Sequence, residues 1–277
     1  MTLDRGRGGA QTLARASGES APRIRELDHR AANAIVREFL DARENEALVV
    51  LEGFHALKHA LRFGARVQTV VTHDGEQLCT LLTEHAPQLA DEVAGLAHGI
   101  PRKDFRRLGP YEPHTGVVSI AHKTAYDARA ILDDQRDALV VALEQPRHRG
   151  NLGAVIRVSA AAEAAGVLNT GIEDPWNPVV VRGAAGLQYA IPVARVDALS
   201  ALGSGRAILA FDPTGEPFDP RAIPARAALA FGSERAGVSP ELLAHADARL
   251  RLPMREGVSS LNLATTVAAV LYAIRLA

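Results

Sequence analysis

The sequence has very little cysteine, few aromatic residues and almost no net charge. Its 277 residues include one cysteine, Cys79, and one tryptophan, and the formal net charge is −1 at pH 7. A single cysteine excludes an internal disulfide and a Cys-x-x-Cys metal site, and it favours a reducing, cytoplasmic compartment. The balanced charge excludes a global basic field, so any contact with nucleic acid must come from local patches.

Long hydrophobic runs are also missing. The longest apolar stretch, residues 261–277, contains Asn262, Thr265, Thr266 and Arg275 and is shorter than the ~20 residues that a membrane span needs. It predicts a core helix. Residues 1–23 lack the apolar segment of a signal peptide and are rich in Gly, Ser, Ala and Arg, which favours a flexible basic arm.

The remaining chain has the pattern of two α/β domains. Hydrophobic residues make up 47% of the sequence, enough for a sizeable core, and the length favours two domains. Residues 24–122 combine a helix over 24–43, a helical stretch over about 75–95 and the strands "ALVVLEG", "VQTVVTH" and "GVVSIAH". We predict one α/β domain over residues 24–122 and a polar linker over residues 123–136.

Residues 137–277 alternate apolar strands with helices. The strands "ALVVALEQ", "GVLNTG", "AILAFD", "ALAFGS" and "ARLRL" favour a mostly parallel sheet that is covered on both faces. Parallel sheets place their chemistry at the carboxyl ends of the strands. Three glycine-containing segments follow strands in this region, namely "QPRHRGNLGAVIR", "FGSERAGVSPELL" and "LPMREGVSSLNLATT".

Several common sites do not match these segments. The spacing of Gly232 and Gly237 resembles a phosphate-binding loop, but Val238 and Ser239 follow in place of Lys and Ser or Thr. No G-x-G-x-x-G follows a strand, so a dinucleotide site of that type is unsupported. The segment "GVSSL" lacks the second glycine of a serine-hydrolase elbow. The His and Cys spacing indicates no metal site.

Together, the three segments resemble the SpoU (TrmH-like) family of SPOUT RNA ribose 2′-O-methyltransferases. That family has the motifs N-x-G-x-x-x-R, G-x-E-x-x-G and P-M followed by S-L-N. The matching residues are Asn151, Gly153, Arg157, Gly232, Glu234, Gly237, Pro253, Met254, Ser260, Leu261 and Asn262. The resemblance covers roughly residues 24–277, because "LEGFHALKHALRFGA" and "PYEPHTGVVSIAHK" are similar to the substrate-binding domain of many SpoU enzymes.

The resemblance implies a fold, a reaction and partners. The expected fold is a C-terminal α/β trefoil-knot methyltransferase domain, residues 137–277, behind an N-terminal ribosomal-protein-like α/β domain that binds RNA. The expected reaction moves a methyl group from S-adenosylmethionine to a ribose 2′-hydroxyl in RNA. Ribosomal RNA is favoured over transfer RNA, because the smallest SpoU transfer-RNA enzymes lack such a domain. A homodimer is expected, with no metal and no membrane.

The resemblance also assigns site residues. A guanidinium with a pKa above about 12 is a poor base, so Arg157 is expected to donate hydrogen bonds to the 2′-oxygen and a neighbouring phosphate. Asn151 would orient Arg157 or the target nucleotide, and Glu234 would pair with either residue. Ser260 and Asn262 would supply polar contacts, unless they only cap the last helix. The expected cofactor contacts are Gly232, Leu252, Met254 and Leu261.

Contacts to RNA are expected from local cations. The candidates are Arg102, Lys103, Arg106, Arg107 and Arg149, although such a cluster is also typical of a solvated helix face. Phe105 and Tyr111 are candidates for base stacking, or else core residues. The apolar face of the last helix fits a dimer interface and the chain's own core equally well; it consists of Leu263, Val267, Val270, Leu271 and Ile274.

The third motif departs from the family in one place. Many members have a glycine two residues after the Met, whereas this chain has Glu256 there and Gly257 next. Three alternatives stay open: ribose methylation of transfer RNA, a catalytically weak RNA-binding member of the fold, and methylation of a base or a small molecule.

Overall fold

The computed structural model describes residues 24–199 and 205–277. The predicted basic arm, residues 1–23, lies outside the described residues. Within those ranges, no helix is both long and apolar enough to cross a bilayer.

The first part of the chain forms a mixed five-stranded sheet in the order β1-β4-β3-β5-β2. Its strands are β1 (Arg25–Glu26), β2 (Leu48–Glu52), β3 (Val67–Thr72), β4 (Ala97–Gly99) and β5 (Val117–His122). Strand β5 is antiparallel to β2 and β3, whereas β3 and β4 are parallel. The helices are α1 (His29–Glu44), α2 (Phe54–Arg62), α3 (Gly75–His85), α4 (Ala90–Leu96) and α5 (Arg102–Phe105).

The helix boundaries follow local chemistry. Helix α1 begins after Asp28, whose carboxylate accepts a hydrogen bond from the Ala31 backbone N–H at 2.8 Å. The continuous helical stretch predicted over residues 75–95 is wrong, because α3 ends at His85 and a 3-10 turn separates it from α4. Pro87 opens that turn, and proline has no backbone N–H with which to continue a helix.

The second part forms the predicted parallel sheet. Six strands lie in the order β11-β9-β10-β6-β7-β8, and every neighbouring pair is parallel. The strands are β6 (Val140–Leu143), β7 (Gly166–Asn169), β8 (Val193–Arg195), β9 (Ile208–Pro217), β10 (Ala228–Phe231) and β11 (Ala248–Arg251). The helices are α6 (Ala128–Leu132), α7 (Arg149–Ala161), α8 (Pro178–Gly183), α9 (Pro240–His245) and α10 (Leu263–Leu276).

Both faces of this sheet are covered, as its near-continuous apolar strands require. One apolar core contains residues of α7, α8 and α10, and the other contains residues of α6 and α9. Ile131 and Leu132, within the segment predicted as a polar linker, are buried in the second core. The predicted apolar face of α10 packs in the chain's own core through Leu263, Val267, Val270 and Leu271, and Ile274 is partly buried against it.

The two sheets share buried contacts. Val49, Leu51 and Ala56 of the first part pack in the same core as α7 and α8. The Tyr189 hydroxyl donates to the His122 carbonyl at 2.7 Å, and His59 Nδ1 lies 2.8 Å from the Ala185 carbonyl oxygen. The first sheet is therefore packed directly against the layer of helices that follows β6.

Candidate active site

The three predicted motifs meet at one edge of the parallel sheet. Leu143, at the end of β6, is in register with Phe231, at the end of β10, so the segments after these strands leave the sheet side by side. The Glu144 backbone N–H donates to the Phe231 carbonyl at 2.8 Å. The Glu144 carboxylate accepts from the backbone N–H and the hydroxyl of Ser239, both at 2.7 Å. The loop after β10 is thereby fixed to the end of β6.

A chain of hydrogen bonds joins one residue from each motif. Asn262 Nδ2 donates to Asn151 Oδ1 at 3.0 Å, and Asn151 Nδ2 donates to Glu234 Oε1 at 2.7 Å. Glu234 Oε2 accepts from the Arg147 backbone N–H at 3.1 Å. Of the two partners predicted for Glu234, the structure pairs it with Asn151.

Asn262 fixes the orientation of the side-chain amides in this series of hydrogen bonds. The Asn262 side-chain oxygen caps α10 by accepting the Ala264 and Thr265 backbone N–H groups. Only the amide nitrogen of Asn262 then faces Asn151, which must present its oxygen there and its nitrogen to Glu234. Asn262 thus caps α10 and also donates to Asn151, and its contact with nucleotide or cofactor stays a prediction.

Glu234 is held in its charged form. Burial alone would raise the pKa of its carboxyl, but hydrogen bonds from Asn151 and from backbone amides, including that of Arg147, lower the pKa below its usual value. The edge of the sheet therefore carries a fixed negative charge at neutral pH.

A cavity of about 150 Å³ opens beside Glu234, at the carboxyl ends of β10 and β11 and next to the middle of β9. Its walls include all four residues predicted to contact a cofactor, together with two of the predicted catalytic residues. These are Gly232, Leu252, Met254, Leu261, Glu234 and Ser260. Phe211 and Asp212, which were not among the predicted site residues, also line the cavity. Their signal was the strand end in "AILAFD", because β9 is the neighbour of β10.

Position 232 in the cavity wall can hold only a glycine. The Ser233 and Gly237 backbones exchange two hydrogen bonds of 3.0 Å, which brings Gly237 and Val238 against Gly232. A Cβ atom on Gly232 would overlap the backbone atoms of both residues. The main chain therefore forms this part of the cavity wall directly.

The departure in the third motif is accommodated by a turn. Gly257 has φ +84°, in the left-handed region, and the Val258 backbone N–H donates to the Arg255 carbonyl at 3.0 Å. Glu256, which replaces the glycine of many family members, is exposed. The turn uses its glycine one position later and still delivers Ser260 to the cavity wall.

Arg157 lies on α7 away from this hydrogen-bonded chain. Its side chain is exposed, and it forms no ion pair or hydrogen bond with any residue in 24–199 or 205–277. It lies near His55 of α2, whose pKa is lowered by burial first, and then by the charges of Lys58 and Arg157. Within the single protein chain neither Asn151 nor Glu234 bonds to Arg157. Of the alternatives, Glu234 pairs with Asn151, and orientation of the target nucleotide by Asn151 stays a prediction.

The predicted RNA-binding cations are exposed but mostly paired. Arg102 and Arg106 donate to the two carboxylate oxygens of Glu112 at 2.7 and 2.9 Å, and their hydrogen bonds lower the pKa of Glu112. Arg107 donates to Asn33 and to Asp104, whereas Lys103 has no ion pair within the described ranges. Arg149 donates to Glu173 at 2.7 Å.

The two aromatic candidates for base stacking differ in exposure. Phe105 is 2% exposed and packs in the core of the first sheet, so of its two alternatives the structure supports the core residue. Tyr111 is 38% exposed, and its ring lies 4.0 Å from the guanidinium carbon of Arg182. No group of three His, Cys, Asp or Glu side chains in the described residues could hold a metal ion.

Comparison with known proteins agrees with this geometry. The sequence profile of the SpoU rRNA Methylase family matches residues 138–272. The chain is 28% identical over 239 residues to the 23S rRNA (guanosine(2553)-2′-O)-methyltransferase RlmP of Bacillus subtilis, covering 82% of this chain and 88% of the relative. It is 26% identical over 280 residues to the 23S rRNA (uridine(2479)-2′-O)-methyltransferase of Streptomyces viridochromogenes, covering 94% and 95%.

A solved structure shows the same fold. The AdoMet-bound rRNA methyltransferase from Sinorhizobium meliloti superposes with a TM-score of 0.72 at 27% identity, over 91% of this chain and 98% of that one. The chain thus has the mixed α/β fold of an rRNA methyltransferase. Over residues 138–272 the chain is similar to the SpoU rRNA Methylase family, and the resemblance seen in its three motifs is confirmed.

The lowered pKa of Glu234 predicts a specific acid sensitivity. The charged Glu234 carboxylate stabilises the folded protein fully above the pKa of a glutamate in the unfolded chain, about 4.3. This stabilisation is lost as the pH falls through the lower pKa that Glu234 has in the folded protein. Glu234→Gln removes this effect. Urea unfolding from about pH 7 to about pH 3.5 should show the stability gap between wild type and variant shrinking toward the acid end. A gap that stays constant with pH would contradict the assignment.

Proposed function

We propose that this protein transfers a methyl group from S-adenosylmethionine to a ribose 2′-hydroxyl of ribosomal RNA. The observation that carries the proposal is the hydrogen-bonded chain Asn262–Asn151–Glu234, which joins all three SpoU motifs beside one cavity. The relatives named as 23S rRNA 2′-O-methyltransferases support the choice of RNA and of the ribose oxygen.

The cavity suits the cofactor in shape and in charge. Leu252 and Leu261 provide apolar walls for the adenosine, and the bare main chain at Gly232 allows the close approach that backbone hydrogen bonds to it need. Glu234 contributes a negative charge that favours a cationic ligand. When bound, S-adenosylmethionine supplies an electrophilic methyl group on a positively charged sulfur.

Arg157 acts on the RNA side of the reaction. A ribose hydroxyl is a weak nucleophile, and hydrogen bonds from a guanidinium stabilise the negative charge that develops on its oxygen. Because Arg157 is exposed and pairs with no residue in the described ranges, its donors are available for that oxygen and the adjacent phosphate. Asn151 and Glu234 hold the first turn of the same helix, α7, and Ser260 offers a hydroxyl at the cavity wall.

The first sheet provides the RNA-binding surface. Arg102 and Arg106 each bond to Glu112 through Nε, and both side chains remain 61% exposed. Lys103 and Arg107 extend this group of cations, and Arg149 adds a further one at the start of α7. The preference for ribosomal over transfer RNA rests on the presence of this additional domain, residues 24–122.

The proposal includes the family's homodimer, its trefoil knot and a cytoplasmic location. Three apolar side chains near the C-terminus are exposed in the single chain, which suits a self-association surface. They are Leu261, Tyr272 and Leu276, at 45%, 39% and 82% exposure. The knot is supported by the segments after β10 and β11, which line one cavity together with residues of β9. A sedimentation mass equal to one chain would contradict the dimer.

The reaction is tested by following a labelled methyl group. Incubation with tritiated S-adenosylmethionine and total RNA, followed by nuclease digestion and mass spectrometry, should place the label on a ribose 2′-oxygen of ribosomal RNA. Label on transfer RNA, on a base or on a small molecule would contradict the proposal. Calorimetric titration with S-adenosylmethionine checks that the protein binds this cofactor. Absence of binding would indicate a protein that only binds RNA.

Arg157→Ala should reduce transfer by about 100-fold or more, because it removes donors to the developing oxyanion. The affinity for S-adenosylmethionine should stay unchanged, since Arg157 does not line the cavity. Arg129→Ala, on the exposed surface of α6, is the matched control and should retain full activity. Transfer by the Arg157 variant within a few-fold of wild type would exclude its proposed role.

The RNA surface predicts a change in salt dependence. Removing Arg102 and Arg106 together should lower the magnitude of the slope of log affinity against log salt by roughly 1.4, because each phosphate that a cation neutralises on single-stranded RNA contributes about 0.7. The slope is obtained from filter binding at several salt concentrations, again with Arg129→Ala as control. An unchanged slope in the double variant would exclude phosphate binding by these two residues.

A further inference from the structure

A buried carboxylate joins the two sheets of the molecule. Glu52 is the last residue of β2, and its side chain is 2% exposed. It accepts a hydrogen bond from Arg43 of α1 at 3.2 Å and another from Arg182 of α8. A buried charge without a partner is strongly destabilising, and Glu52 is paired with guanidinium groups from both parts of the chain.

Arg182 also contacts the segment that carries the RNA-binding cations. The Tyr111 ring lies over its guanidinium at 4.0 Å, a favourable cation–π geometry. The next residue is Glu112, which holds both Arg102 and Arg106. Arg43 reaches the same segment through a 3.0 Å hydrogen bond to the Leu108 carbonyl. Residues 102–112 are thus attached to the Glu52–Arg182 pair at two points.

Arg182 belongs to α8, and this helix is packed tightly on α7. A Cβ atom on Gly153 of α7 would lie 2.6 Å from the Val180 carbonyl oxygen and 3.0 Å from the Ala184 nitrogen. The backbones of α7 and α8 are therefore in direct contact, which leaves little room for one helix to slide on the other. Helix α7 carries both Asn151 and Arg157.

We propose that Arg182 is a positioning residue for methyl transfer, which sets the location of RNA held by residues 102–112 relative to Asn151 and Arg157 on α7. This inference rests on the proposed function. Arg182 does not line the cavity and has no part in the chemistry. Its guanidinium contacts Glu52 and Tyr111, and the backbone of its helix, α8, packs on α7.

The chemistry of the contact favours arginine over lysine. A guanidinium can direct its edge to a carboxylate and its face to an aromatic ring at the same time. An ammonium can keep the charge pair with Glu52 but offers no flat surface to Tyr111. Because misplacement of reacting groups by about 1 Å can cost about 100-fold in rate, a loosened contact should reduce the transfer rate more than it reduces binding.

The test compares Arg182→Lys and Tyr111→Ala with Tyr111→Phe, which keeps the ring. Single-turnover transfer at saturating RNA and S-adenosylmethionine should fall about 10- to 100-fold in the first two variants and stay near wild type in the third. The affinities of all three variants for RNA and for S-adenosylmethionine should stay within about 3-fold of wild type, a change of less than 1 kcal/mol. Arg195→Lys, an exposed guanidinium bonded to the Ile172 carbonyl, is the matched control.

A second readout does not depend on activity. Amide hydrogen exchange should rise in residues 108–112 and in α8 of Arg182→Lys, but not in Arg195→Lys. Normal transfer in Arg182→Lys, or exchange as slow as in wild type, would overturn the inference. A loss of RNA affinity in Tyr111→Ala but not in Arg182→Lys would also overturn the inference, because Tyr111 would then bind RNA itself. If wild-type protein transfers no methyl group to RNA, the proposed function fails, and the exchange data still decide whether Arg182 couples the two segments.

Discussion

The site depends on the hydrogen-bonded chain that runs from Asn262 through Asn151 to Glu234. Each member restricts the next, because the cap of α10 fixes the amide of Asn262 and this fixes the amide of Asn151. The Glu234 carboxylate is then charged and immobile beside the cavity. Parallel strands make this arrangement possible, since β6 and β10 end side by side and deliver residues that are distant in sequence to one point.

Charge in this molecule is arranged locally. A net charge of −1 is compatible with RNA binding because the cations of residues 102–107 are concentrated on one short segment, and Glu112 and Asp104 limit their mutual repulsion. In the proposed RNA contact, the acidic partners would also hold the guanidinium groups in place before binding, which would reduce the ordering cost. The exposed cation Arg157 belongs instead to the helix that carries Asn151.

Much of the fold and of the site could be predicted from the sequence. Apolar strands alternating with helices indicated a parallel sheet, and glycines next to amide and acidic residues at strand ends marked the cavity wall. Asn262 could be predicted as a site residue or a helix cap because both roles need a short polar side chain. The break at Pro87 also had a local signal, which the helical pattern around it obscured.

Other features have no local signal. Glu52 and Arg182 are 130 positions apart, and neither belongs to a sequence motif that predicts an ion pair. The burial of Phe105 depends on how a four-residue helix packs, which apolar periodicity cannot show over so short a length. The isolation of Arg157 from Asn151 and Glu234 follows from side-chain direction on α7. Here helix geometry does carry a signal, because a spacing of six residues places two side chains about 120° apart around the helix axis.

The most direct test of the central claim is a double-mutant cycle between Asn151 and Glu234, with the free energy of unfolding measured for Asn151→Ala, Glu234→Ala and the double variant. The account predicts a coupling energy of about 1 kcal/mol or more, because a hydrogen bond to a charged group typically contributes about 1.5–3 kcal/mol. Effects that add to within about 0.3 kcal/mol would contradict it.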